Sequence, residues 1–186
     1  MSKKPSASAI SPEYLLMGFL NLHSTHGYDL HERIYQELGQ IWHISLSQTY
    51  NILNRLEAEG YIKGEIKAQE KSPPRHYFQL TASGRRRFDE WLNTPTEASV
   101  HAIRVEFLTR LYFAYAAMPQ KVNDLIEAQI VQLRAGLIHI QTMHRELASD
   151  QIFNQLGLEL RIRQLTSLID WLEECRIRFS QLPPTK

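Results

Sequence analysis

The repeat of the apolar residues changes at Gly60, and this change limits the folds that are open to the chain. In SQTYNILNRLEAEGYI, residues 47–62, apolar residues recur at a helical spacing up to Gly60. After Gly60 the segments YIKGEIKA and RHYFQLT alternate between polar and apolar residues, as strands do, and QEKSPP between them is rich in turn residues. The pattern predicts a helix followed directly by a β-hairpin.

Two further helices are predicted before this one. Ser11 and Pro12 form a helix start ahead of EYLLMGFLNLH, whose broad apolar surface indicates burial. Gly27 breaks the chain before YDLHERIYQEL, and Gly39 ends that helix. The third helix begins after a cap at Ser45 or Ser47. Three helices joined by very short turns are typical of helix-turn-helix proteins.

The chain changes character after Pro95. Thr81 caps a short helix that closes at Thr94-Pro95, and beyond it only helical periodicity remains. We therefore expect a mainly α fold with a small β-hairpin wing. The expected parts are a disordered tail over residues 1–10, a winged helix-turn-helix DNA-binding domain over 11–94 and a helical dimerisation domain with long helices over 95–186.

Charge is distributed unevenly, although the formal net charge is only +1. Residues 13–59 hold two basic and six acidic side chains, whereas residues 61–87 hold seven basic and two acidic ones. The positive charge is therefore concentrated in the predicted hairpin and the short helix after it. Four basic residues of the hairpin are candidates to contact a sugar-phosphate backbone: Lys63, Lys67, Lys71 and Arg75.

The third helix has a polar face with a different chemistry. A helical projection places Leu46, Thr49, Leu53 and Leu56 on the packing side, with Tyr50 and Ile52 on its margins. The opposite side carries donors and acceptors that are suited to base edges in a major groove: Ser47, Gln48, Asn51, Asn54 and Arg55. A solvated polar surface is the alternative, and a winged helix that serves only as a protein–protein module is another. The basic hairpin next to this face favours DNA.

Apolar residues near the end of the chain recur at nearly strict heptad steps: Leu158, Ile162, Leu165, Ile169, Leu172 and Phe179. Two long helices joined by a short loop cannot fully cover such stripes, so we expect these residues to form the interface of a homodimer. A monomeric helical bundle that closes on the N-terminal half is the alternative.

Three segments together resemble the PadR family of bacterial winged helix-turn-helix transcription regulators. They are GYDL at residues 27–30, SLSQTYNILNRLEAEGYI at 45–62 and PRHYFQLTASGR at 74–85. The resemblance covers residues 11–93 closely, and the helical remainder is similar to the longer members, which include virulence activators of the AphA type.

This resemblance implies a homodimer that binds double-stranded DNA at a palindromic operator, usually as a repressor, with an AphA-type activator as the alternative. It implies that Ser47 and Tyr50 help to hold DNA and that Arg75 is the basic contact of the wing. His76 stands where the family often has a permanent charge, which predicts a weaker or pH-sensitive wing contact. Relatives that sense phenolic acids and hydrophobic drugs imply a small aromatic or hydrophobic effector. Its pocket residues are not assigned, because Trp42, Trp91, Phe107 and Tyr112 could equally form a hydrophobic joint.

Other classes of protein receive little support from the sequence. It has no Gly-rich phosphate loop and no G-x-S-x-G elbow, and the single cysteine, Cys175, lies in a heptad segment. We therefore predict no enzyme and no cofactor. The histidines lack the spacing of a zinc site, so no metal is predicted. Without an apolar run of about 18 residues or a signal peptide, we expect a cytoplasmic protein with no membrane partner.

Overall fold

The computed structural model describes residues 11–69 and 72–182, with only the backbone described for 67–69 and 72–75. The predicted tail over residues 1–10 and the predicted contact of Lys71 lie outside this part of the chain. The chain divides into two compact units, one that ends at Thr94 and one that begins at Pro95. It is mainly helical with one small antiparallel sheet, which confirms the predicted fold class.

The first unit contains the predicted helices and the hairpin. Its helices are α1 (Pro12–Leu22), α2 (Gly27–Leu38), α3 (Leu46–Ala58) and α4 (Ala82–Leu92). Its strands are β1 (Thr25–His26), β2 (Ile62–Gln69) and β3 (Ser72–Leu80), in the sheet order β1-β3-β2. The sequence does not predict β1, because two residues are too few to show alternation. Only the pairing of Thr25 with Phe78 and of His26 with Tyr77 makes this segment a strand.

Side-chain caps begin the helices where the sequence predicts them. Ser11 Oγ accepts a hydrogen bond from Glu13 N, and Thr81 Oγ1 accepts one from Gly84 N. Ser45, and not Ser47, caps α3, so Ser47 lies within the helix. The core of this unit is formed by fully buried side chains of α1, α2, α3 and the sheet, among them Leu15, Phe19, Leu30, Leu53 and Phe78.

The second unit is entirely helical in the part that the structure describes. A continuous run combines α5 (Val100–Ala102), a π-helical turn (Ile103–Phe107) and α6 (Leu108–Ala117), and the short 3₁₀ turn Pro119–Lys121 leads to α7 (Val122–Glu146) and α8 (Ile152–Gln181). Arg110 is almost fully buried and pairs with Glu106, while its Nη1 donates to Thr96 Oγ1 at 2.8 Å. Gln129 bonds both the N–H and the carbonyl of Thr96, each at 3.0 Å, and so fixes the start of the unit to α7.

The heptad stripe of α8 packs inside its own chain. Leu165, Ile169 and Leu172 are buried in one cluster with residues of α7, and Leu158, Ile162 and Phe179 are partly buried against that cluster. Within the chain, α7 lies beside α8 and covers part of this stripe. That these residues form the interface of a homodimer stays a prediction. Other apolar residues of α8 remain exposed: Ile152, Phe153, Leu156, Leu160 and Ile177. None of the helices in the described residues is long and apolar enough to cross a membrane.

Candidate nucleic-acid interface

The buried side of α3 is rotated from the predicted one. Thr49, Ile52, Leu53 and Leu56 are buried, and their spacing defines a stripe centred between Ile52 and Leu53. Leu46, predicted on the packing side, is 36% exposed, and Tyr50 is 39% exposed. Leu46 is the first residue of the helix, one turn before this stripe begins, which explains its exposure. The rotation brings Ser47, Asn51 and Asn54 to the centre of the outward face.

Ser47, Asn51 and Asn54 have the properties that base reading requires. All three are exposed, and none makes a side-chain hydrogen bond within the residues that the structure describes. Hydroxyl and amide groups can both donate and accept, and an Asn amide can bond an adenine edge at two points. The three side chains are therefore available to a partner without breaking any contact of the fold.

Gln48 occupies a different environment from these three. Its Oε1 accepts a hydrogen bond from Ser45 N at 2.8 Å, while Gln48 N donates to Ser45 Oγ at 3.2 Å. This reciprocal pair is a capping box, which satisfies N–H groups at the start of α3. The predicted base reader therefore uses its amide oxygen to close its own helix.

A shallow groove of about 370 Å³ lies beside Gln48, between α2 and the turn that leads to α3. Tyr35 and Trp42 contribute aromatic rings to its lining, and His31 and His43 contribute imidazoles. His31 Nδ1 lies 3.2 Å from Thr49 Oγ1, which joins this wall to a buried residue of α3. The groove is therefore in direct contact with the helix that carries the polar face.

The other aromatic residues considered for an effector pocket pack within their own units. Trp91 stacks on Tyr14 with ring centroids 4.8 Å apart. Phe107 is buried in the core of the second unit, and Tyr112 meets Phe113 edge-on at 5.0 Å. Trp91 and Phe107 are thus buried side chains, and Tyr112 is half-buried. Trp42 alone among the four lines the groove beside Gln48.

Arg55 is held by a carboxylate from α1. Its Nη2 lies 2.6 Å from Glu13 Oε1, and the second oxygen of Glu13 lies 2.8 Å from Arg87 Nη2. Arg87 also reaches Glu59 at 3.4 Å. Arg87 is thus a partner of two acidic residues. Arg85 donates to Asn21 Oδ1 at 3.2 Å, and Arg86 is exposed.

The wing continues from α3 through β2 and β3. Lys63 is exposed on β2, and Lys67 and Arg75 are paired across the ladder at their Cα atoms. Glu57 of α3 anchors this wing, because its Oε1 accepts a hydrogen bond from Gly64 N at 2.7 Å. His76 Nε2 lies 3.9 Å from the same oxygen, and the His76 ring packs at 4.4 Å on Phe78. His76, predicted as a DNA contact, therefore also contacts Phe78 and lies near Glu57.

These features define the class of protein. A helix-turn-helix with exposed hydroxyl and amide groups on its last helix, followed by a basic two-stranded wing, is a winged helix-turn-helix DNA-binding domain. In the described residues no group of three side chains is placed to hold a metal ion. Residues 16–90 match the model of the transcriptional regulator PadR-like family, and residues 103–179 match that of the virulence activator alpha C-term. The first unit therefore matches the PadR-like family of transcriptional regulators, the family that the three sequence segments predict.

Relatives cover nearly the whole chain. The negative transcriptional regulator PadR of Bacillus subtilis is 26% identical over 170 residues, which are 87% of this chain and 93% of that protein. A probable transcriptional regulator of Mycobacterium tuberculosis is 26% identical over 163 residues, which are 80% of this chain and 86% of that protein.

Similar solved structures include two of Bacillus subtilis PadR. The complex with operator DNA is 27% identical, covers 90% of this chain and 98% of that one, and has a TM-score of 0.43. The complex with p-coumaric acid is 25% identical, covers 93% and 100%, and has a TM-score of 0.40. The family matches confirm the predicted class, a DNA-binding transcriptional regulator, which is not an enzyme class.

Proposed function

We propose that this protein is a homodimeric repressor that binds a palindromic operator with α3 in the major groove and the wing on the backbone. The single observation that carries this proposal is that the polar face of α3 and the basic residues of the first unit lie on different elements. The exposed face of Ser47, Asn51 and Asn54 bears no charge, whereas basic residues are concentrated in the hairpin. Uncharged donors and acceptors discriminate between bases, and basic side chains supply affinity for any phosphate.

Repression is the proposed direction because the matched Bacillus subtilis relative, which aligns over 93% of its length, is a negative regulator. An activator is the second candidate, since residues 103–179 match the C-terminal model of virulence activators. A reporter driven by the bound promoter separates the two. Expression of the protein lowers the signal if it represses and raises it if it activates.

The binding test is an electrophoretic shift assay with the promoter of the protein's own gene and with neighbouring promoters. We expect a complex that survives excess unrelated DNA and weakens as salt rises. Equal binding to every sequence, or no binding to any, would contradict the regulator and favour a winged helix used as a protein–protein module. Action on DNA in the cytoplasm is part of the same proposal.

The proposed dimer uses exposed apolar residues of α8. Phe153 is 85% exposed, and Leu156 and Leu160 follow it at three and seven residues, so the three share one helix face. An exposed apolar stripe of this kind is costly in water and is a common site of self-association. Two recognition helices related by a two-fold axis would read half-sites about 34 Å apart or a multiple of that distance. Footprinting of the bound promoter measures the spacing, and sedimentation measures the mass.

A small aromatic or hydrophobic effector completes the proposal. The groove beside Gln48 supports it, because an occupant between Tyr35 and Trp42 would touch the turn that starts α3. The test titrates p-coumaric acid and other phenolic acids against the operator complex, with Trp42→Ala as the variant. Release from the wild type and not from Trp42→Ala would support this groove, whereas release from both would place the effector elsewhere.

A further inference from the structure

Arg55 is the one basic residue of α3, and its side chain is paired with a carboxylate. One edge of its guanidinium is 2.6 Å from Glu13 Oε1, while the side chain as a whole is 53% exposed. Glu13 belongs to α1 and stands outside the polar face that the sequence indicates. The charge on the recognition helix is therefore matched by a carboxylate from a different helix.

Glu13 is a well-fixed partner. Its side chain is only 12% exposed, and its backbone N–H is held by Ser11 Oγ at the start of α1. Its second oxygen accepts from Arg87, whose guanidinium lies 4.3 Å from the centre of the Tyr61 ring. Because Glu13 is held from two sides, the position that it offers to Arg55 is defined in the absence of DNA. A preorganised guanidinium loses less entropy when it makes a directional contact.

We propose that Glu13 is a positioning residue for DNA selectivity, which holds Arg55 so that it contributes to a chosen sequence and not to any phosphate. This inference rests on the proposed function. An exposed arginine without a partner would release counterions on every DNA sequence and raise non-specific affinity. Its pairing with Glu13 removes that local excess of charge and leaves the other edge of the guanidinium to make a directional contact.

The test compares operator and unrelated DNA of equal length across a salt series, with Glu13→Gln as the variant. This change keeps the shape of the side chain and removes its charge. We expect affinity for unrelated DNA to rise roughly threefold to tenfold, and the salt dependence on that DNA to steepen by up to about one unit of slope. The ratio of operator to unrelated affinity falls accordingly. The melting temperature is measured for every variant.

Glu59→Gln is the matched control. It makes the same change of charge and also removes a partner of Arg87, but Glu59 does not pair with Arg55. We expect Glu59→Gln to keep the wild-type ratio. In an Arg55→Ala background, Glu13→Gln should leave the ratio unchanged, because the residue through which it acts is gone. An unchanged ratio in Glu13→Gln alone, or an equal fall with and without Arg55, would overturn the inference.

Arg55→Gln is a second variant, at an exposed position. It tests the role of the Arg55–Glu13 pair if Glu13→Gln lowers the melting temperature. We expect it to lower operator affinity by a clearly larger factor than affinity for unrelated DNA, because the operator complex loses the directional contact as well as the charge. Equal losses on both DNAs would mean that Arg55 is a generic phosphate contact and would overturn the inference while leaving the regulator intact. A wild type with no selective binding would overturn the proposed function itself, and this inference with it.

Discussion

Tyr50 lies against Gly27 so closely that a Cβ atom on residue 27 would stand 2.6 Å from Tyr50 Cε1 and 2.8 Å from Cζ. The absence of a side chain on the first residue of α2 therefore makes room for the Tyr50 ring at the margin of the polar face of α3. Glycine is required at this position for the close approach of a ring, not for an unusual backbone angle.

Gly27→Ala should therefore displace Tyr50 with little loss of stability, because the end of an exposed side chain can move aside. We expect operator affinity to fall about tenfold, the scale of one good base or phosphate contact. Calorimetry and shift assays measure the two quantities separately. The matched control is Gly157→Ala, whose added Cβ meets nothing within 4 Å. In a Tyr50→Ala background, a further loss on Gly27→Ala would show that the glycine acts by another route.

Asn51 and Gln48 should separate recognition from helix capping. Asn51→Ala removes a side chain with no internal partner in the described part of the chain, so we expect a loss of about 1–3 kcal/mol in operator binding and an unchanged melting temperature. Gln48→Ala opens the capping box and should lower the melting temperature, while the bond from the N–H of residue 48 to Ser45 Oγ remains. Competition assays on operator and unrelated DNA, combined with thermal unfolding, measure both. The assignment fails if Asn51→Ala binds the operator as the wild type does.

The basic residues of the wing should act on all DNA alike. We expect Lys67→Ala and Arg75→Ala to lower affinity for operator and unrelated DNA by the same factor. The salt dependence should flatten by about one unit of slope for each phosphate that the variant no longer binds. Fluorescence anisotropy over a salt series provides the slope. Lys121→Ala in the second unit is the control of equal charge. A loss confined to the operator would instead make the wing a reader of bases.

Replacement of two apolar residues of α8 by aspartate should have different effects, one on stability and the other on dimerisation. Ile169 is buried within its own chain, so Ile169→Asp should destabilise the fold by roughly 3 kcal/mol or more. Phe153 is exposed, so Phe153→Asp should keep the fold and give monomers. Sedimentation and thermal unfolding distinguish these outcomes, with the exposed Ser167→Asp as the control on the same helix. A dimer that survives Phe153→Asp combined with Leu160→Asp would place the interface elsewhere.

The reactivity of the buried Cys175 thiol can be used to measure how tightly the second unit is packed. Burial disfavours the thiolate and raises the pKa of Cys175 above its ordinary value. Because the folded pKa is the higher one, the associated stability is present below the unfolded pKa and is lost as pH rises through the folded pKa.

The native thiol should therefore react with a disulfide reagent far more slowly than a free thiol at pH 8, and at the normal rate in denaturant. The control places the thiol on the exposed side of the same helix, by Cys175→Ser with Ser167→Cys. Fast labelling of native Cys175 would mean that this part of α8 opens readily.

Much of the fold and part of the site could be predicted before the structure. The helix starts at Ser11 and Thr81 and the end of the recognition helix near Gly60 depend on residues within one or two turns, so the local sequence determines them. The alternation after Gly60 determines the hairpin for the same reason. The polar face of α3 was also predictable as a set of residues, although not its centre.

By itself, then, the sequence determined where helices and strands begin, and which residue types lie on α3. Only the tertiary structure decided how those residues are used. In the structure the buried side of α3 includes Ile52, and Gln48 is part of the helix cap. Arg55 pairs with Glu13, and the apolar stripe of α8 packs on α7 of the same chain. Most of these outcomes depend on residues far apart in the sequence, and helical periodicity describes one segment at a time. Neighbours that come together only when the chain folds leave no mark in the local pattern.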